Sequence, residues 1–161
     1  MAMDSEITSY WEWIEELRSQ VSRIVEDLPV EALNWRPVAG AEEHATNSLA
    51  VLATHVAVAE HHWISEVVGQ QPATRHRPTE FVTTAVSASE LVARLAATGK
   101  ETQQVLSQLT ADSLNQSHTI HDRTFTGRWC ILHVIEHTAL HLGHMQLTAQ
   151  LWHSQQTAVA G

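Results

Sequence analysis

The sequence predicts an all-α protein, a four-helix bundle. Four segments of similar length carry apolar residues at helical spacing, Pro- and Gly-containing connections separate them, and no internal repeat, low-complexity tract or long heptad array points elsewhere. From Asp4 to Leu28, Ile7, Trp11, Ile14, Leu17, Val21, Ile24, Val25 and Leu28 form one stripe, with Glu12, Glu16, Ser19, Arg23 and Glu26 opposite. Pro29 ends this first helix, and Asn34, Pro37 and Gly40 keep the chain irregular until Thr46 or Asn47, either of which can cap a second.

The second helix runs to about Gly69 with Leu49, Leu52, Val56, Trp63 and Val67 on one stripe. Val51 and Val58 lie off that stripe, so this helix is either central or buried at an oligomer contact. Gln70 to Pro78 reads as a loop, and Ser87-Ala88-Ser89-Glu90 has capping-box spacing for a third helix from Ala88 to about Leu109. Thr110 to Thr126 is polar and rich in β-branched residues, a long connection with room for a short hairpin. The fourth helix runs from Arg128 to His153. With no linker-like stretch dividing the 161 residues, the expected organisation is one domain over 1–161.

Nine Lys plus Arg against eighteen Asp plus Glu leave a net charge of −9, which repels phosphate backbones and anionic lipid surfaces, so neither nucleic acid nor membrane is an expected partner. The acidic start Met1-Ala2-Met3-Asp4-Ser5-Glu6 lacks a basic, apolar leader, and no apolar run reaches membrane length; the expected location is cytoplasmic. One cysteine, Cys130, excludes an internal disulfide or a cysteine-rich zinc site, so any metal must sit on nitrogen and oxygen.

Twelve histidines are the compositional anomaly. His133, His137, His141 and His144 follow at offsets of four, four and three, which places them within about 80° of one another on the fourth helix. Trp129, Leu140 and Leu151 lie on or beside that face, so the histidines are expected to look inward. Imidazoles at i and i+4 can share one ion, and four inward rings without one would be costly to desolvate and would repel when protonated. A third ligand must come from another helix: His55, His62 and Glu66 share a stripe of the second, and periodicity does not choose between His55 and His62.

Other motifs compete for these residues. His133-Val134-Ile135-Glu136-His137 matches the H-x-x-E-H pattern of inverted zinc peptidases, but no Asp or Glu follows Glu136 to supply their downstream ligand. Glu-x-x-His, which a carboxylate-bridged di-iron bundle needs, is missing. A bis-histidine haem would leave the other histidines unexplained, and no c-type attachment motif accompanies them.

The run from Arg128 through His133, His137 and His141-Leu142-Gly143-His144 resembles the last-helix signature of DinB/YfiT-like proteins. Leu33-Asn34-Trp35-Arg36-Pro37 resembles the Trp/Arg-Pro element of that family, and Asn47-Ser48-Leu49 through His55 its second helix. This resemblance implies a metal site on His55, His137 and His141, with His133 and His144 beside it. Leu142 stands where relatives often carry arginine. Three imidazoles leave coordination positions open, the arrangement of a catalytic site. Imidazole ligation suits a divalent ion, zinc or nickel with iron as an alternative, and the resemblance further implies a transferase joining a low-molecular-weight thiol to a small electrophile, in a homodimer. A non-catalytic metal or small-ligand binder and a metal-dependent hydrolase are the other readings; the last needs a general base, for which His144, Glu60 and Glu66 are the candidates. Cys130 is expected to pack in the core.

Overall fold

The computed structural model describes residues 3–40 and 45–159. Helix α1 spans Ser5–Glu26 and begins where the Asp4 carboxylate accepts the Glu6 N–H at 2.9 Å. Its inner face, Ile7, Ile14, Leu17, Val21 and Val25, is buried as the apolar spacing requires. After Pro29 the chain is not irregular throughout: α2, Val30–Asn34, buries Ala32 and Leu33. The Asn34 side chain then bridges to the backbone of Ala85, accepting its N–H at 2.8 Å and donating to its carbonyl at 2.9 Å, which explains the extra turn in tertiary terms.

The second predicted helix is two structures. Helix α3, Leu49–Glu60, capped by the Ser48 hydroxyl, passes into a π-helical segment, His61–Val68, that closes with Gly69 N–H on the Ile64 carbonyl at 2.8 Å. Helix α3 packs against α1, α5 and α6, so it is the central helix. Val51 is fully buried within the chain, and Ala50, Ala53, Ala57 and Ala59 let the neighbouring helices approach. Its apolar circumference therefore reports a position inside the bundle.

The expected loop from Gln70 to Pro78 contains the start of a short helix, α4, Arg77–Glu80. Helix α5, Ala88–Leu106, starts at Ser87, whose hydroxyl accepts the Glu90 N–H at 3.2 Å, and stops short of Leu109. Strands β1, Ser117–Ile120, and β2, Arg123–Thr126, form a two-stranded antiparallel hairpin with Ile120 opposite Arg123. Helix α6, Gly127–Val159, outruns its predicted end at His153.

Helices α1, α3, α5 and α6 form the bundle, with its apolar core in two contiguous clusters. Met145 and Leu142 of α6 belong to one of them, and Cys130, Ile131 and Val134 to the other. One buried polar link crosses this core: Arg18 donates to Glu60 at 2.5 Å, and Thr102 donates to the same carboxylate at 2.6 Å. Gly99 makes room for it, since a Cβ there would stand 2.5 Å from the Arg18 guanidinium.

Candidate metal centre

Helices α3 and α6 pack against each other and bring His55 against His137 and His141. Each of the three offers one ring nitrogen to a common region, and these nitrogens lie within 4.8 Å of one another. The Nε2 atoms of His55 and His137 are 3.0 Å apart. Two nitrogens at about 2.0–2.1 Å from one tetrahedral zinc would stand roughly 3.3 Å apart, so this pair is close to chelating separation.

A carboxylate fixes one tautomer. His55 Nδ1–H donates to Glu80 Oε2 at 2.6 Å, and since an ionised carboxylate only accepts, Nε2 of His55 keeps its lone pair for the cluster. Burial favours the neutral acid of Glu80, but hydrogen bonds from Arg75 and His55 outweigh it and hold its carboxyl below the ordinary range. Arg75 donates from Nε to Oε1 at 2.8 Å and from Nη2 to Oε2 at 3.2 Å. The Arg75 backbone is anchored in turn, its N–H donating to Glu66 Oε1 at 3.0 Å, while Thr74 donates to the same oxygen through its N–H and hydroxyl. Although burial opposes ionisation of Glu66 too, His62 and Thr74 bring its carboxyl down to about 2. A run of hydrogen bonds thus leads from the π segment through residues 74–80 to His55.

The two histidines of α6 have no such support. Burial first, then the neighbouring rings of His141 and His55, lower the His137 imidazole to about 3. Burial and His55 lower His141 to about 4. Both are neutral near pH 7, as metal ligation requires. His141 Nδ1 is buried with no hydrogen-bond partner among the described residues. An orphaned nitrogen beside two converging imidazoles fits a divalent cation with a preference for nitrogen.

The remaining candidates divide. His144 lies beside the cluster, its ring centroid 5.5 Å from that of His141. His62 is bound to Glu66 at 2.6 Å and lies outside the three-histidine group, about two helical turns along the chain from His55. Glu66 is occupied by His62, Thr74 and Arg75, and Glu60 by Arg18 and Thr102, so neither is placed as a base at the cluster. His133 stacks on Trp129, with ring centroids 4.8 Å apart and planes at 14°.

The expectation that Trp129, Leu140 and Leu151 turn the histidines inward does not hold, since these residues are 39 %, 58 % and 43 % exposed. The core stripe of α6 is Cys130, Ile131, Val134, Leu142 and Met145, and the histidines sit half-buried at its margin, except His144, which is exposed. An apolar cleft of about 420 Å³ adjoins them, lined by Val38, Leu52, His141, His144, Leu147 and Leu151. Sequence reasoning passes over Glu80 and Arg75 because both stand in or next to a proline-containing loop with no periodicity to read; an Arg/Glu pair five apart in that loop is the only signal available.

Fold and site together define a helical bundle with a three-histidine centre between its central and last helices. The sequence profile of the DinB superfamily matches residues 14–145, and the chain belongs to that superfamily. Its fold is similar to that of a conserved protein from Enterococcus faecalis, with a TM-score of 0.73 and 18% identity over 93% of this chain and 98% of the other. A DinB-like protein from Bacillus cereus aligns with a TM-score of 0.68 and 16% identity over 93% of each chain. For a DinB-like protein, YjoA, from Bacillus subtilis, the TM-score is 0.67 and the identity 18%, over 88% of this chain and 90% of that one. Comparison with curated proteins gives no match.

Proposed function

We propose that His55, His137 and His141 bind one divalent metal ion, zinc or nickel, and that the protein is a transferase that joins a low-molecular-weight thiol to a small electrophile. The convergence of the three imidazoles, one oriented by Glu80 and one with an otherwise unpartnered buried nitrogen, is the observation that supports this reading. An ion held by three nitrogens keeps positions open and lowers the pKa of a thiol that binds it. His144, at the edge of the cluster, receives the thiol proton on a ring nitrogen as sulfur bonds to the electrophilic carbon and the leaving group departs from it. The apolar cleft between Leu52 and Leu147 takes the carbon skeleton of the electrophile and keeps water from it.

No helix among the described residues is long and apolar enough to cross a membrane, and a cytoplasmic location is part of this proposal. So is a two-fold homodimer, which the exposed apolar side chains of Trp129, Leu132 and Leu140 on α6 support. Light scattering should give twice the chain mass for the parent and the chain mass for Leu140→Glu; a monomeric parent rejects the dimer.

The activity is tested with 1-chloro-2,4-dinitrobenzene as electrophile and cysteine as thiol, before and after chelation and metal restoration. Metal-dependent conjugation that is lost in His137→Ala supports the transferase. Bound metal with no conjugation of any thiol, but with ester or amide hydrolysis dependent on His144, would replace it with a hydrolase.

A further inference from the structure

A second cavity, of about 510 Å³, lies between α3, α4 and α5. None of the three clustered histidines lines it, although Glu80, which orients His55, does. Its volume is that of a small-molecule site, and its walls are chemically uneven. Thr54, Thr79, Thr83 and Thr98 supply hydroxyls, while Ala57, Val58 and Ala97 supply apolar surface.

Two features of the wall call for a ligand. Thr54 is only 4 % exposed, and its Oγ1 is buried without a hydrogen-bond partner among the described residues. Such a hydroxyl loses its solvation and regains nothing unless a guest or a water bonds it. Thr79 and Thr83 donate their protons to the carbonyls of His76 and Thr79, at 2.7 and 3.2 Å, so their oxygens remain as acceptors.

The pairing of the charges is equally uneven. Glu80 is taken by His55 and Arg75, and Glu101 by His61 at 2.6 Å. Arg94 also lines the cavity, and among the described residues it is in no ion pair. Two carboxylates and two guanidiniums line the cavity, so its wall is formally balanced, and Arg94 is the lining guanidinium without a carboxylate partner among the described residues, in a chain whose net charge of −9 disfavours anions in general. An anion held here must be held locally, by a charge-assisted bond to a guanidinium.

We propose that this cavity is a second ligand site, for a small carboxylate carrying several hydroxyl groups. The carboxylate meets Arg94, the hydroxyls bond the threonine wall including Thr54, and the carbon chain lies on Val58 and Ala97. The site stands apart from the metal reading, and its test uses neither thiol nor electrophile.

Calorimetric titration of the full chain with D-gluconate, in the metal-loaded and the chelated form, is the experiment. Glucose supplies hydroxyls without the charge, and acetate the charge without hydroxyls. Saturable binding of one gluconate per chain is expected in both forms, with glucose and acetate weaker by about tenfold or more. Arg94→Gln, an exposed substitution that leaves the core intact, should weaken gluconate about tenfold, and Thr54→Val should weaken it several-fold at an unchanged helical circular dichroism signal. No saturable gluconate binding up to about 10 mM, equal affinity for glucose or acetate, or an Arg94→Gln variant that binds as the parent does would each overturn the proposal.

Discussion

Helices α3 and α6 both contribute imidazoles to the centre, but they hold them by different means. His55, on the central helix, is 5 % exposed and tied through Glu80 and Arg75 to a backbone that Glu66 anchors. His137 and His141, on the last helix, are half-buried and have no carboxylate partner among the described residues; their spacing of four residues aims them together. In the proposed metal site, one ligand would be positioned by tertiary hydrogen bonds before any ion arrives, whereas the other two would depend on helix geometry and on the ion itself.

The sharpest way to break this comparison is to remove ligands from either side. His55→Ala, His137→Ala and His141→Ala should each abolish stoichiometric metal, measured by elemental analysis of untagged protein, while His62→Ala, His76→Ala and His153→Ala should retain it. Metal lost only in His62→Ala would move the α3 ligand about two turns on, into the π segment, where Glu80 does not orient it.

Chelation comes next in size. An ion present at a hundredfold over its dissociation constant adds about 2.7 kcal/mol to stability, because the unfolded chain cannot assemble ligands from two helices. At this chain length that is a fall in Tm of roughly 5–10 °C on chelation, by calorimetry. An unchanged Tm would mean that the ion is held too weakly to support α6.

Glu80→Gln isolates the contribution of the orienting carboxylate. The amide cannot take the Nδ1 proton as strongly and loses the Arg75 ion pair, so metal affinity should fall by about 10- to 100-fold. The ligands of α6 have no equivalent, so no single substitution beyond the three histidines should match it. If Glu80→Gln binds metal as the parent does, His55 is positioned by packing alone.

The smallest effect is on pH. In the metal-free protein His137 and His141 titrate at about 3 and about 4, below their unfolded value of 6.5. Between these limits the unfolded chain binds protons that the folded cluster refuses, so stability should decline as pH falls from about 6.5, with no change above it. Urea midpoints taken between about pH 7 and pH 4.5 measure this, and His137→Gln should flatten the slope. A parent profile already flat in that window would mean that the α6 imidazoles are not shielded from water.

Much of the fold was legible in the residues. Apolar spacing located α1, α3, α5 and α6, and the polar, β-branched stretch before Gly127 proved to contain the hairpin. The structure brings His55 together with His137 and His141, whereas periodicity alone left His62 in contention. The inward turn of the histidine face was misread because the exposed Trp129, Leu140 and Leu151 carry the same signal as a core stripe.

The local pattern of side chains by itself determined which segments are helical and that two imidazoles stand one turn apart on the last of them, because both follow from residues within a few positions of each other. Only the tertiary structure decided that α6 would meet the chain at His55 rather than at His62, and that Glu80 would close on His55. The first outcome depends on how central α3 is packed against a helix far along the chain, the second on a bond between residues 25 positions apart, and no short window along the sequence contains either.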